Sequence, residues 1–238
     1  MKYIQIKKHF LKALSLDAQF SKAHYQLALI DNIDGDIKSA ESHLIRSIEL
    51  DLIKINGFEK KANIFLKKHQ FQQANFLFLK SQELKNNCAK SYYTLSSLYI
   101  NLRKISKAKD ILIKSINLQP EYSKAHRDLG ILYLKEKNMD LTRKHLDLSL
   151  ELNYGDYKTH FYLGIFMKEN GCYNQSEQYF LASLDIKPKF VQSLVALARL
   201  KLLMKKNKEA KSYYKIAKQI SKEIVDQEIE QLIKRDGK

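Results

Sequence analysis

The chain has 238 residues, 45% of them apolar and 29% charged, and carries a formal net charge of +16. That length and composition support a sizeable buried core and exclude a disordered or collagen-like polymer. Seven glycines and two prolines supply too little turn material for many short strands, so an all-α fold is expected.

In chain order, residues 1–20 read as half of a helix pair, with Phe10, Ala13 and Leu16 on the positions a second helix would use. From there a period of about 34 residues runs through the chain without insertion or deletion, the mark of a repeat architecture. It divides the sequence into six units at 21–54, 55–88, 89–122, 123–156, 157–190 and 191–221. Residues 222–238 read as a capping helix and tail, with Ile224, Val225, Ile229, Leu232 and Ile233 on one face.

Within a unit, apolar residues alternate by three and four in two stretches, as in Leu95, Leu98, Tyr99, Leu102 and then Ala108, Ile111, Leu112, Ser115. That spacing predicts two amphipathic helices joined by a short polar turn such as Asn170-Gly171. Three columns stay small: the eighth (Ala28, Ala62, Ser96, Gly130, Gly164, Ala198), the twentieth (Ala40, Ala74, Ala108, Thr142, Ser176, Ala210) and the twenty-seventh (Ser47, Ser81, Ser115, Ser149, Ser183, Ala217). The twenty-fourth is bulky throughout: Leu44, Phe78, Leu112, Leu146, Phe180, Tyr214. Small positions let helices approach closely while bulky ones fill the space beside them. A single hairpin cannot bury both its faces, so successive hairpins must stack.

These columns, with aromatics Phe65, Tyr99 and Tyr133 at position eleven and Pro120 and Pro188 at thirty-two, resemble the tetratricopeptide-repeat family. The resemblance implies a right-handed superhelical α-solenoid of about six helix-turn-helix units, with an N-terminal half repeat and a C-terminal capping helix. It also implies a non-catalytic scaffold that binds a segment of another protein in a concave groove. Three departures stand out. His24, His126 and His160 occupy a column where the family uses Trp, Lys61 replaces a core Leu, and Gly57 sits inside a helix at a cost of about 1 kcal/mol relative to Ala. The second unit is therefore expected to be the loosest.

Mapping the family's groove columns onto this chain nominates Lys22, Tyr25, Leu29, Asn63, Lys90, Tyr93, Ser97, Lys124, Arg127, Ile131, Lys158, Phe161, Ile165 and Arg199. Lysines beside aromatic residues and Arg suit an acidic segment, because rigid anchors and complementary charge favour its capture. Solvation of the groove edge explains the lysines equally well. The family's carboxylate clamp is not expected, since Tyr25, Glu59 and Tyr93 stand where it needs Lys.

No grouping suits catalysis, a cofactor or a metal. Cys88 and Cys172 lack neighbours at ligand spacing, and the three column histidines fall a repeat apart, about 10 Å, so they read as packing residues. No run is long and apolar enough to cross a membrane. A cytoplasmic location is expected, with self-association through the N-terminal half repeat as a further expectation. Two other readings stay open. The chain could be the regulatory or substrate-recognition arm of a larger enzyme assembly such as a glycosyltransferase. Alternatively its basic surface, including the stripe Lys208, Lys211, Lys215, Lys218 and Lys222, could bind nucleic acid or anionic membrane, although no aromatics interleave that stripe for base stacking.

Overall fold

The computed structural model describes residues 2–67, 70–221, 223, 226 and 229–231, with the side chains of 2–4, 66, 67, 71 and 74 outside that description. Among the described residues the helices follow in order: α1 (Lys2–Leu16), α2 (Ser21–Asp34), α3 (Ile37–Lys67), α4 (Phe71–Asn101), α5 (Ile105–Leu118), α6 (Ser123–Lys135), α7 (Met139–Leu152), α8 (Tyr157–Glu169), α9 (Tyr173–Ile186), α10 (Val191–Leu203) and α11 (Asn207–Ile220). The class is all-α, and no strand occurs among the described residues. Two compact units divide the chain, Met1–Ala125 and His126–Lys238.

One turn geometry recurs at the period read from the sequence. At the fifteenth position of a repeat the backbone turns left-handed: Gly35 (φ 81°), Arg103 (58°), Lys137 (58°), Gly171 (74°) and Lys205 (59°). The next N–H then reaches back five residues to a helix carbonyl, as from Asp36 to Asp31 (2.8 Å), Lys104 to Tyr99 (2.9 Å), Asn138 to Tyr133 (3.0 Å), Cys172 to Met167 (2.9 Å) and Lys206 to Lys201 (2.8 Å). This closure satisfies carbonyls that a helix end would otherwise leave orphaned. Gln70 makes the same bond to Phe65 (2.9 Å), so the second repeat keeps its internal hairpin turn.

The seams between repeats behave differently. Helices α5, α7 and α9 end on extended residues Gln119 (φ −137°), Asn153 (φ −153°) and Lys187 (φ −134°). Two of these precede Pro120 and Pro188, which disfavour the helical conformation in the residue before them. The third opens the Asn153-Tyr154-Gly155 turn. At the corresponding place the first two repeats carry Leu52 and Asn86, neither of which stops a helix. Accordingly α3 and α4 run 31 residues each, straight through the boundaries expected at 54/55 and 88/89. They pair as one long antiparallel hairpin.

In the first unit, α3 therefore pairs with α2 over its first half, while α4 pairs with α5 over its second. Tyr99 donates to Glu41 (2.7 Å), which sets the third repeat directly against the first, and Cys88 Sγ at the end of the second donates to the Ile48 carbonyl (3.8 Å). Helix α1 packs on α2, held by Lys7 donating to the buried Asp31 at 2.6 Å, but leaves Leu11 and Leu16 exposed.

In the second unit the hairpins α6/α7, α8/α9 and α10/α11 follow in order. The column logic is plain in their packing: Leu146, Phe180 and Tyr214 are 0–1% exposed, each over the small eighth-column residue of its own hairpin. Buried hydroxyls join one repeat to the next, Ser149 with Thr159 (2.9 Å) and Ser193 donating to Ser183 (2.9 Å). Most of the expected capping helix lies outside the described residues, but Ile229–Gln231 is helical and Ile229 packs against Ala198 and Tyr214.

Candidate functional site

A groove of about 840 Å³ opens in the second unit between α8 and α10. Tyr157, Lys158, Phe161, Ile165 and Lys168 line it from α8, and Val191, Gln192, Val195, Ala196 and Arg199 from α10. Phe180 lies beneath, while Lys187, Lys189 and Phe190 of the α9–α10 seam and Ser221 complete the lining. None of these residues is acidic, and five carry positive charge.

The floor is an aromatic cluster. Phe190 meets Tyr157 edge-on at 4.7 Å and Phe161 edge-on at 5.3 Å, while Phe161 lies 5.8 Å from the fully buried Phe180. Such edge-to-face packing fixes the rings and leaves a firm apolar surface. Lys187 stands above it with its ammonium 4.5 Å from the Tyr157 ring, donating to that residue's hydroxyl at 3.2 Å. Across the groove Arg199 pairs with Asp226 at 2.6 Å, with its side chain still 61% exposed.

Of the residues nominated from sequence, Lys158, Phe161, Ile165 and Arg199 come together here. Arg127 does not serve as an open anchor. It is buried, with Nε on Asp128 (2.8 Å) and a terminal nitrogen on Asp156 (2.7 Å). Burial opposes its charge, but the two carboxylates outweigh that and hold its pKa above the ordinary value. Burial likewise works against the Asp156 carboxylate, yet Arg127 brings its pKa below the usual range. The pair thus ties α6 to Asp156, the residue that caps the start of α8. Ile131 lies half-buried on α6.

The remaining nominees belong to the first unit. Lys22, Lys90 and Lys124 are exposed, and Leu29 and Ser97 are half-buried. Tyr25 shares a hydrogen bond with Thr94 (3.4 Å), and Tyr93 packs edge-on against Tyr122 at 5.3 Å. Asn63 is not with them, because it rides on the far half of α3.

The column histidines are tied within their own hairpins. His24 meets His43 across Nδ1 atoms 2.9 Å apart, and His126 meets His145 at 3.0 Å. Among the described residues there is no group of three or more His, Cys, Asp or Glu side chains arranged to hold a metal. Nor is any described helix long and apolar enough to cross a membrane.

Lys187, Lys189, Phe190 and Tyr157 were absent from the sequence nominations. The signal for the first three was Pro188. A proline that ends a helix also turns the residues around it out of the helix surface, here into the mouth of the groove.

A family profile described as Tetratricopeptide repeat matches residues 89–122, the same bounds as the third period of the sequence. The third unit of the sequence is thus a tetratricopeptide repeat. Solved structures share the fold of the chain. YrrB, described as a TPR protein with an unusual peptide-binding site, superposes with a TM-score of 0.60 at 16% identity, over 95% of this chain and 97% of that one. The pilF protein of Pseudomonas aeruginosa gives 0.55 at 18% identity, over 90% and 97%. MamA gives 0.52 at 18%, over 68% and 94%. At these identities the likeness speaks for the fold of the repeats. No curated protein matches the sequence significantly.

Proposed function

We propose that this chain is a non-catalytic tetratricopeptide-repeat scaffold, and that its α8–α10 groove holds an acidic segment of another protein anchored by a bulky apolar side chain. One observation carries the reading: among the described residues, five cations and no carboxylate line the groove over an apolar aromatic floor, with Asp226 pairing Arg199 at its edge. Lysines gathered around a concave low-dielectric surface repel one another, and an incoming carboxylate relieves that repulsion while steering its own approach. The aromatic floor supplies the area that holds the segment once it has arrived. That YrrB is described as having a peptide-binding site supports a groove-binding role for the shared fold.

Fluorescence anisotropy with a labelled peptide of alternating Glu and Leu or Phe residues tests this. The triple variant Lys158→Glu, Lys187→Glu, Lys189→Glu should weaken binding at least tenfold, about 1.4 kcal/mol or more. Phe161→Ala should weaken it without changing its salt dependence. Equal affinity for the acidic peptide and a Lys-for-Glu counterpart would contradict the proposal. Tight, sequence-independent binding of oligonucleotides that collapses with salt would favour the basic-surface reading instead.

A further inference from the structure

The second repeat, 55–88, is built like its siblings but packed unlike them. It retains the small residues Ala62 (0% exposed) and Ser81 (2%), and its internal turn is closed by the shared Gln70-to-Phe65 bond. Its own two helices are clasped by Glu59, which accepts from Ser81 (2.9 Å) and pairs with Lys85 (2.6 Å). Its bulky twenty-fourth-column residue breaks the pattern. Phe78 is 36% exposed, whereas Leu44, Leu112, Leu146, Phe180 and Tyr214 are 0–1%. Ile64, Phe76 and Leu79 are more than half exposed on the same hairpin. The residues that should cover them belong to repeats one and three, which instead contact each other through Tyr99–Glu41 and Tyr25–Thr94. Repeat three has taken the seat next to repeat one, and repeat two is looped out between them.

We infer that repeat two is a removable element of the first unit, exchanging between this looped-out hairpin and a stacked repeat by bending at the two seams, 53–55 and 87–89. Two features make both states accessible. The column residues suited to stacking are present, and the seams lack the breakers that Pro120 and Pro188 provide elsewhere, so a helix can run through them or turn there. The exchange alters the row of first helices. Looped out, Tyr25 adjoins Thr94 and Asn63 stands apart; stacked, Glu59 and Asn63 enter between the first and third repeats, and the Tyr25–Thr94 bond breaks. A surface built from the first unit thus exists in a shorter and a longer form.

Pulsed electron spin resonance on the full chain distinguishes the states. Spin labels go on Gln70→Cys and Lys104→Cys in a background carrying Cys88→Ala and Cys172→Ser. Looped out, the two turns are separated by the length of α4, about 46 Å for its 31 residues. Stacked, they become neighbouring turns about 10 Å apart. The labelled protein should show both distances. Leu52→Pro with Asn86→Pro, which places proline where Pro120 and Pro188 lie in their repeats, should shift the population to the short one. Phe78→Ser, which penalises only the state that buries this side chain, should remove the short one. A single distance in the parent overturns the inference, as does a short fraction unchanged by Phe78→Ser. The parent and Phe78→Ser decide the matter even where the proline variant does not fold.

Discussion

His145 is where the packing of this protein is most sensitive to acid. Burial, then the facing His126 and the nearby Lys144, depress its pKa to about 4 from an ordinary 6.5. Below pH 6.5 the unfolded chain takes up a proton that the folded chain refuses. Stability should therefore be full above pH 6.5 and decline as the pH falls from there toward about 4. His24 is shifted in the same direction, first by burial and then by His43 and Arg46, and adds to the slope. Urea midpoints between pH 7 and 4 check this: His145→Phe should flatten the decline, and an unchanged slope would remove His145 from the account. At this scale the sequence was a good guide to packing and a poorer one to charge. The histidines were legible as packing residues from their column alone, whereas Arg127 looked like an open anchor because its partner Asp156 closes the same repeat, 29 positions away, and only the fold brings them together.

At the scale of elements, the eighth and twenty-fourth columns trade volume across each hairpin. A Cβ added at Gly164 would lie 2.5–3.1 Å from three ring carbons of the buried Phe180, closer than real contacts permit. Ala28 and Ser96 are tolerated where Leu44 and Leu112 face them. Gly164→Ala should thus cost about 1–3 kcal/mol through overpacking, despite the better helix propensity of Ala. Adding Phe180→Leu should recover part of that loss, because it recreates the smaller pairing of the first repeat. Chemical denaturation measures both, and a neutral Gly164→Ala would show that the hairpin can spread. The helices and their internal turns were readable from the period. The fused seams were not, because a 34-residue period counts positions without saying whether a helix stops between them. Leu52 and Asn86, standing where Pro120 and Pro188 stand elsewhere, held the information, but it is a missing breaker rather than a positive signal.

Across the molecule, a net charge of +16 could be mere solvation, and many lysines are spread over exposed helix faces. What sets the α8–α10 groove apart is the coincidence, in one concavity, of clustered cations, a described lining without acidic residues and a fixed aromatic floor. Four of the fourteen nominated residues meet there, since first-helix columns do face it. The seam residues that supply two of its five cations and one ring were invisible to a column count, because they belong to the connection between repeats. Backbone amide shifts recorded while an acidic, Leu- or Phe-containing peptide is titrated into the labelled 238-residue chain test the central claim most directly. The largest changes should fall on α8, α10 and residues 187–190 and saturate together. Saturating changes on α11 instead, or none at all on α8 and α10, would contradict it.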